Sequence, residues 1–307
     1  DMEITDGMSF GQKYPVSAFP TLFFLGVDGE ILKKVVGGQS DVGLLELGKS
    51  AIKSYDRSGQ YAEQYEAGNR DPSIMIEYIA ALNQVDKPSL KIANEYWDSE
   101  HGMTNEQCAR FLMESVKEAD SKLFDALLEY KKEAIKLASE DEFEEVVEKA
   151  AIETVKKAVE YDYKELLDEA IEKYNAASVG DKNKFKLLAH LQYYKLSGDF
   201  DNWKKESTTL LKKYGKKDPN LYNKQIQTLR NELKYHNDAL DSAIEIATEM
   251  VKKYDSCDNA YLHIQLLMAG QRFAEAQKYV DLAIKNATKR KDDVQRFERI
   301  KAYLDTI

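Results

Sequence analysis

The chain has 307 residues, of which 43% are hydrophobic and 10% aromatic, enough to build sizeable cores and to exclude a disordered protein. Its formal net charge of −10 argues against non-specific nucleic-acid binding and against attraction to an anionic membrane, since both need a basic surface. No apolar run reaches the length of about 18 residues that a membrane-spanning helix needs, so the sequence predicts no membrane span.

A β-hairpin is predicted near the start of the chain. Leu22–Leu25 is a continuous, aromatic-rich apolar run, which is typical of a strand buried on both faces. Asp28 and Gly29 supply the turn, because glycine adopts the positive φ that hairpin turns require. Ile31–Val36 mixes apolar residues with lysines and predicts a strand nearer the sheet edge. Pro20 lies just before the first strand, where a proline removes no ladder hydrogen bond.

These residues resemble the C-terminal half of a domain of the thioredoxin-like, thiol-disulfide oxidoreductase family. The resemblance covers about the first 55 residues and rests on V-S-A-F-P-T-L-F-F-L at 16–25, the Asp28-Gly29 turn, Gly37-Gly38 and a helix predicted over Asp41–Tyr55. It implies the order helix, strand, strand, helix and a cis peptide bond before Pro20. It further implies that Phe19, Pro20 and Thr21 bind substrate, with the backbone of Phe19 pairing with an extended segment.

The family's redox chemistry needs a Cys-x-x-Cys motif at a helix N-terminus, where the thiol pKa is lowered. The two cysteines of this chain, Cys108 and Cys257, are far apart and follow the resembling stretch. We therefore expect no catalytic residue in the chain as it stands. Because the chain opens at Asp1 with what resembles the tail of a third strand, we expect a truncated product that has lost its catalytic half. The alternative is a thioredoxin-like piece that never carried a dithiol.

Half of such a domain lacks two central strands, so the first strand is expected to expose an apolar face and an unpaired edge. The remaining helices, a second copy of the chain or a bound N-terminal piece are the candidates for covering it.

The rest of the chain is predicted to be helical. Glycine and proline are concentrated before residue 73, and Pro219 is the only proline after Pro88. We predict two domains, 1–56 as the thioredoxin-like half and 57–307 as a helical domain. Four apolar stripes at helical spacing support the second: Met75, Tyr78, Ile79 and Leu82; Leu123, Leu127, Tyr130, Ala134 and Leu137; Tyr163, Leu166, Leu167, Ala170, Ile171 and Tyr174; Leu240, Ala243, Ile244, Ala247, Val251 and Tyr254.

Turn signals recur at Gly180, Gly198, Gly215, 236–238, 255–258 and Gly270. Two such intervals make a helical hairpin of roughly 34–40 residues, the period of tetratricopeptide and related repeats. Gly198-Asp199-Phe200, with Tyr194 one turn upstream, resembles the inter-helix turn of that family, and so does the region around Gly270. The expected fold is mainly α: a partial thioredoxin-like α/β segment followed by a tetratricopeptide-like α-solenoid of helical hairpins.

No cofactor or metal site is predicted. The histidines lack ligand spacing and are expected at the surface or the core edge: His101, His190, His236 and His263. Both cysteines are expected to be small residues at or near packed faces. The acidic run Glu140–Glu148 lacks the central glycine of a calcium loop and predicts a helix start.

Two functional hypotheses follow. In the first, the chain is a fragment of a thioredoxin-like thiol-disulfide oxidoreductase with a helical extension, acting on protein substrates in the periplasm or elsewhere outside the cytoplasm. In the second, it is a non-catalytic scaffold whose α-solenoid recruits a protein or peptide, and a cytoplasmic location is then open. The expected partners are a protein or peptide in both cases, with no nucleic acid.

Overall fold

The computed structural model describes residues 10–16, 18–27, 29–99 and 102–306. The chain is mainly helical, with one two-stranded antiparallel sheet formed by β1 (Thr21–Leu25) and β2 (Ile31–Val36). Residues 10–13, ahead of β1, are also helical. The helices are α1 Asp41–Ser54, α2 Ser58–Glu66, α3 Pro72–Gln84, α4 Leu90–Trp97, α5 Asn105–Ser115, α6 Lys122–Glu129, α7 Lys131–Leu137, α8 Glu140–Glu160, α9 Glu165–Ala177, α10 Lys182–Ser197, α11 Phe200–Tyr214, α12 Asn220–Asn231, α13 Ala239–Lys253, α14 Cys257–Ala269, α15 Phe273–Arg290 and α16 Gln295–Leu304.

The chain divides into two compact units. One contains the described residues up to Lys117 together with Ser121–Val146, and the other contains Glu118–Asp120 and Val147 onward. The predicted domain boundary between residues 56 and 57 falls inside the first unit, and the division into a thioredoxin-like half and a helical domain stays a prediction.

The hairpin segment, meaning the described residues between 10 and 54, contains the two strands and the following helix that the sequence predicts. Ser40 caps α1 by accepting a hydrogen bond from the Gly43 N–H, so the helix begins at Asp41. Gly29 has φ +79°, and a Cβ there would lie 3.0 Å from the Tyr14 hydroxyl, so the turn needs glycine. Asp28, the other predicted turn residue, lies outside the described residues.

The first unit has its core among α3 to α7. Phe111 of α5 is fully buried, with its ring centroid 5.4 Å from that of Tyr96 and 6.2 Å from that of Trp97. The predicted stripe of α3 is buried, from Met75 to Leu82. The hairpin segment is joined to this core at its end, where Gln84 donates to the Ile52 carbonyl at 2.7 Å.

In the second unit each helix from α9 to α16 contacts the next along the chain. The core is aromatic and aliphatic: Phe185 stacks on Tyr174 with ring centroids 3.8 Å apart, and Trp203 and Tyr222 are buried. The predicted turns separate the helices, and Gly198 takes the left-handed conformation at φ +73° that ends α10.

Two sequence predictions are corrected. The stripe from Leu123 to Leu137 is not one helix, because the chain turns at Tyr130, between α6 and α7, and Leu137 is exposed. Tyr163 lies before α9 and is exposed, although the rest of its stripe is buried. Among the described residues, no helix is both long and apolar enough to cross a bilayer.

Candidate functional site

The main feature of the hairpin segment is the outer edge of β1, with which no other strand of the described residues pairs. β2 is the one strand paired with β1 among the described residues, in the register Thr21↔Val36, Leu22↔Val35 and Phe23↔Lys34. The Gly37 N–H donates to the Pro20 carbonyl at 2.8 Å, which makes this a hydrogen-bonded pair. By the alternation of an antiparallel ladder, the backbone N–H and C=O groups of Thr21, Phe23 and Leu25 face away from β2.

The three predicted substrate-binding residues lie at the start of this edge. The Phe19–Pro20 peptide bond is cis, as the thioredoxin-like resemblance implies. Phe19 is 75% exposed and Pro20 is also exposed. Thr21 is half-buried, and its hydroxyl donates to the Ala18 carbonyl at 2.6 Å, which fixes the backbone just before the strand. The structure therefore brings the three residues together at the surface, and their role in binding stays a prediction.

One face of the sheet is covered by the segment before β1. The rings of Phe10, Tyr14 and Phe23 lie close together, with centroids 4.7 to 6.1 Å apart. The Tyr14 hydroxyl donates to the Gly29 carbonyl at 2.7 Å, and the Lys34 ammonium donates to the Pro15 carbonyl at 3.0 Å. These bonds hold the covering segment against the hairpin.

The other face is covered by α1. A Cβ at Gly48 would lie 3.5 Å from a ring carbon of Phe24, so this helix packs against the strand at a residue without a side chain. Lys33 of β2 donates to the Ser50 hydroxyl of α1 at 2.7 Å. The sheet is thus covered on both faces, but it has only two strands among the described residues, so each strand forms one of its edges.

The prediction that β1 is buried on both faces is wrong. All five of its residues are half-exposed, and Tyr14 and Ala51 are the only buried residues among the described part of the hairpin segment. Large apolar side chains of this segment are exposed: Phe10, Phe19, Val27, Ile31, Val36, Val42, Leu44, Leu45 and Ile52. The physical reason is geometric, because a strand is enclosed only when it has neighbours on both edges as well as both faces.

No thiol chemistry is assembled at this site. Both cysteines are free: Cys108 is buried in α5 of the first unit, and Cys257 is half-buried in the second unit. Burial raises the pKa of the Cys108 thiol, although a hydrogen bond with Tyr130 opposes the rise, so this thiol is a poor nucleophile. No group of three or more His, Cys, Asp or Glu side chains that could hold a metal occurs in the part of the chain that the structure describes.

The histidine prediction needs one correction. His190 lies 3.2 Å from Glu206 and His236 stacks on Phe200, both in keeping with the core edge. His263 is instead fully buried, with its Nε2 2.9 Å from the Thr248 hydroxyl and its ring against Tyr279. His101 lies outside the described residues.

Sequence reasoning located Phe19, Pro20 and Thr21 but missed how far the open surface extends. Val42, Leu45 and Ile52 of α1 are exposed. These three residues are three and seven positions apart and therefore lie on one side of α1, so the helical period alone could have shown an apolar stripe there. Comparison of the chain with family models, with curated proteins and with solved structures finds no match.

Proposed function

We propose that this chain is a non-catalytic protein-binding scaffold whose free β1 edge accepts an extended polypeptide segment. The observation that carries the proposal is the outer edge of the apolar strand β1, which pairs with no other described strand and is flanked by the exposed side chain of Phe19. Extended segments add to such edges through backbone hydrogen bonds, and alternate side chains give specificity.

The edge has the chemistry that strand addition needs. Thr21, Phe23 and Leu25 present alternating donors and acceptors along the strand, and their own side chains all lie on one face. An added strand would place its apolar side chains beside Phe23 on one face and beside Leu22 and Phe24 on the other. Phe19, just before the edge, would contact the end of the added segment.

We further propose that the helices from α9 onward form a tetratricopeptide-like α-solenoid. The contact of each helix with its neighbour along the chain supports the proposal, because solenoids are built from nearest-neighbour contacts. The positions of Gly198 and Gly270 at inter-helix turns agree with the repeat pattern.

A capped peptide of alternating threonine and valine tests the edge. Titrated into the full chain, it should protect the amides of Thr21, Phe23 and Leu25 from solvent exchange, because these groups would donate to the added strand. The same peptide carrying an N-methyl group at every amide cannot donate to β1 from either edge, and it should give no protection. Equal protection by both peptides, or none by either, would contradict strand addition.

A matched pair of variants tests the contribution of Phe19. Phe19→Ser should weaken binding of the peptide to β1. Tyr235→Ser should leave that binding unchanged, because Tyr235 is a comparably exposed aromatic residue but lies in the second unit. Sedimentation of the free protein tests whether a second copy of the chain occupies the edge. A concentration-dependent dimer that protects the same amides would identify that second copy as the occupant. It would exclude other polypeptides as the main partner of the edge.

A second candidate is that the hairpin segment is the substrate-side half of a thiol-disulfide oxidoreductase. The observation that favours it is the order helix, strand, strand, helix with a cover on both faces of the sheet. No residue of the described chain would supply the nucleophile, so we expect no reduction of insulin by this chain. Turnover that survives alkylation of Cys108 and Cys257 would overturn that expectation.

A further inference from the structure

The second unit contains a cleft of about 200 Å³ at one end of three helices. It lies between the last turn of α12, the start of α13 and the last turns of α14. Leu229, Ala243 and Leu266 are buried core residues whose side chains form its apolar lining. These lining residues belong to the second unit and not to the hairpin segment, so a binding site here goes beyond the function proposed above.

Two positively charged side chains line the cleft. Arg230 at the end of α12 and Lys234 in the following loop both line it, and both are exposed. No described carboxylate pairs with either of them. Nearby in sequence, Glu232 pairs with Lys195 at 2.7 Å and Asp241 with Arg272 at 2.6 Å, whereas the exposed Asp238, next to the lining residue Ala239, has no ion pair among the described residues.

Gln265 of α14 adds an exposed amide to the lining. The start of α13 adds the positive end of a helix dipole, and the side chain of Asp238 at its N-cap makes no capping hydrogen bond. Apolar side chains with a few cationic and amide groups at their margin are the usual composition of a site for an amphipathic ligand.

We propose that this cleft binds an aliphatic group that ends in a carboxylate. The guanidinium of Arg230 and the ammonium of Lys234 bind the carboxylate, and the aliphatic group lies on Leu229 and Leu266. In a protein with a net charge of −10, two cations without ion-pair partners favour an anionic ligand. The volume fits one branched aliphatic side chain, being smaller than the roughly 300–1,000 Å³ of sites for larger ligands.

Two sources share this chemistry: the C-terminal residue of a polypeptide and a free short-chain carboxylic acid. N-acetyl-leucine represents the first and 4-methylpentanoate, which lacks the amide, the second. We expect dissociation constants of about 1–10 mM for molecules of this size, measured from the backbone NMR shifts of the full-length protein. Tighter binding of N-acetyl-leucine identifies a peptide C-terminus, and tighter binding of 4-methylpentanoate identifies a free acid.

Neutral and truncated probes test the chemistry itself. N-acetyl-leucine amide should bind about three- to tenfold more weakly than the acid, because it lacks the charge. N-acetylglycine should also bind more weakly, because it lacks the aliphatic group. Equal affinity for the acid and the amide, or no shifts at residues lining the cleft, would overturn the proposal.

Variants at exposed positions keep the test independent of folding. Arg230→Gln with Lys234→Gln should remove the preference for the acid over the amide. Lys212→Gln, which removes an exposed cation of α11, and Asp238→Asn should not weaken binding of the acid. Ala269→Leu fills the cleft from an exposed position and should abolish binding of both, while unchanged binding in this variant would place the ligand elsewhere.

Discussion

The hairpin segment and the second unit use the same kinds of apolar residues but bury them to different extents. Phe185 and Trp203 of the second unit are enclosed by neighbouring helices, whereas every residue of β1 remains half-exposed. A helix meets its backbone hydrogen bonds internally and needs cover on its apolar faces, but a strand needs partners at two edges as well. The difference shows that apolar composition alone does not make a core.

The partners of the lysine side chains also differ between the two regions. In the second unit Lys157 pairs with Glu118 at 2.8 Å and with Asp120 at 2.5 Å in partly buried surroundings. Burial raises the pKa of Asp120, but the bonds from Lys157 and Thr154 outweigh this, so the pKa lies below its ordinary value. In the hairpin segment the lysines bond mainly to neutral oxygens, those of Ser50 and Pro15. We therefore expect changes in the second unit to alter global stability and changes in the hairpin segment to alter local opening.

The largest expected effect compares two phenylalanines. Phe185→Ala should lower the free energy of unfolding of the second unit by about 3–5 kcal/mol, because the ring is 1% exposed and leaves a cavity. Phe19→Ala, which removes an exposed ring, should change stability by no more than about 0.5 kcal/mol. Denaturant unfolding of both variants measures the difference. Similar losses of unfolding free energy in the two variants would contradict the expected difference between a buried and an exposed ring.

Between about pH 4 and 6.5, one buried histidine of the second unit should make stability depend on pH. Burial, with a smaller contribution from Lys252, lowers the pKa of His263 from 6.5 to about 4. Between those values the unfolded chain binds the proton and the folded chain does not, so stability falls as the pH falls from about 6.5 to about 4. The loss should approach about 3 kcal/mol for this residue.

Unfolding measured across that pH range tests the prediction with two variants. His263→Leu should remove most of this slope, and His236→Gln should leave it in place, since His236 stacks on Phe200 at the core edge. If stability still falls with pH in the His263→Leu variant, the pH dependence must come from other titratable groups.

A buried hydroxyl gives a smaller effect. Thr154 is fully buried, and its Oγ1 accepts from the Ala119 N–H at 2.8 Å and lies 2.8 Å from Asp120 Oδ1. Thr154→Val leaves the Ala119 N–H with only its 3.2 Å bond to the Ala150 carbonyl and removes the hydroxyl that donates to Asp120, so it should cost about 1–3 kcal/mol in denaturant unfolding. Thr208→Val, whose hydroxyl is exposed and bonds back to Lys204 of its own helix, should be close to neutral. A cost at Thr208 equal to that at Thr154 would contradict the assignment.

The smallest expected effect compares two helix caps. Ser40→Ala removes the cap of α1 and Ser121→Ala removes that of α6, where the hydroxyl accepts from the Phe124 N–H at 3.2 Å. Each should cost about 1 kcal/mol. The loss at Ser121 should appear in the unfolding transition of the first unit, whereas the loss at Ser40 should appear as faster amide exchange within α1. Exchange in α1 that is unchanged would indicate that the hairpin segment opens together with the whole unit.

Local patterns predicted the elements better than their burial. The run of apolar residues before Gly26 identified β1, and the spacing from Leu240 to Tyr254 identified α13, because both depend on neighbours in sequence. The break at Tyr130 was not predictable, since the helical spacing of apolar residues continues through it. The exposure of β1 depends on the number of strands beside it, which no local pattern contains.

The candidate sites show the same limit. Phe19, Pro20 and Thr21 are consecutive, so a resemblance in sequence could find them. The cleft is built from three helices, and its cations Arg230 and Lys234 look in the sequence like ordinary exposed residues. The full burial of His263 likewise depends on packing against Tyr279, which is distant in sequence.

Native-state hydrogen exchange tests the central comparison most directly. The amides of Leu22 and Phe24, which lie within the β1–β2 ladder, should exchange through openings of low free energy, because the hairpin segment has few buried contacts. The amides of Ala247 and Leu267, in the cores of α13 and α14, should exchange only with unfolding of their unit. Equal protection of both sets would contradict the account, since it would show that the hairpin segment is as firmly held as the helical core.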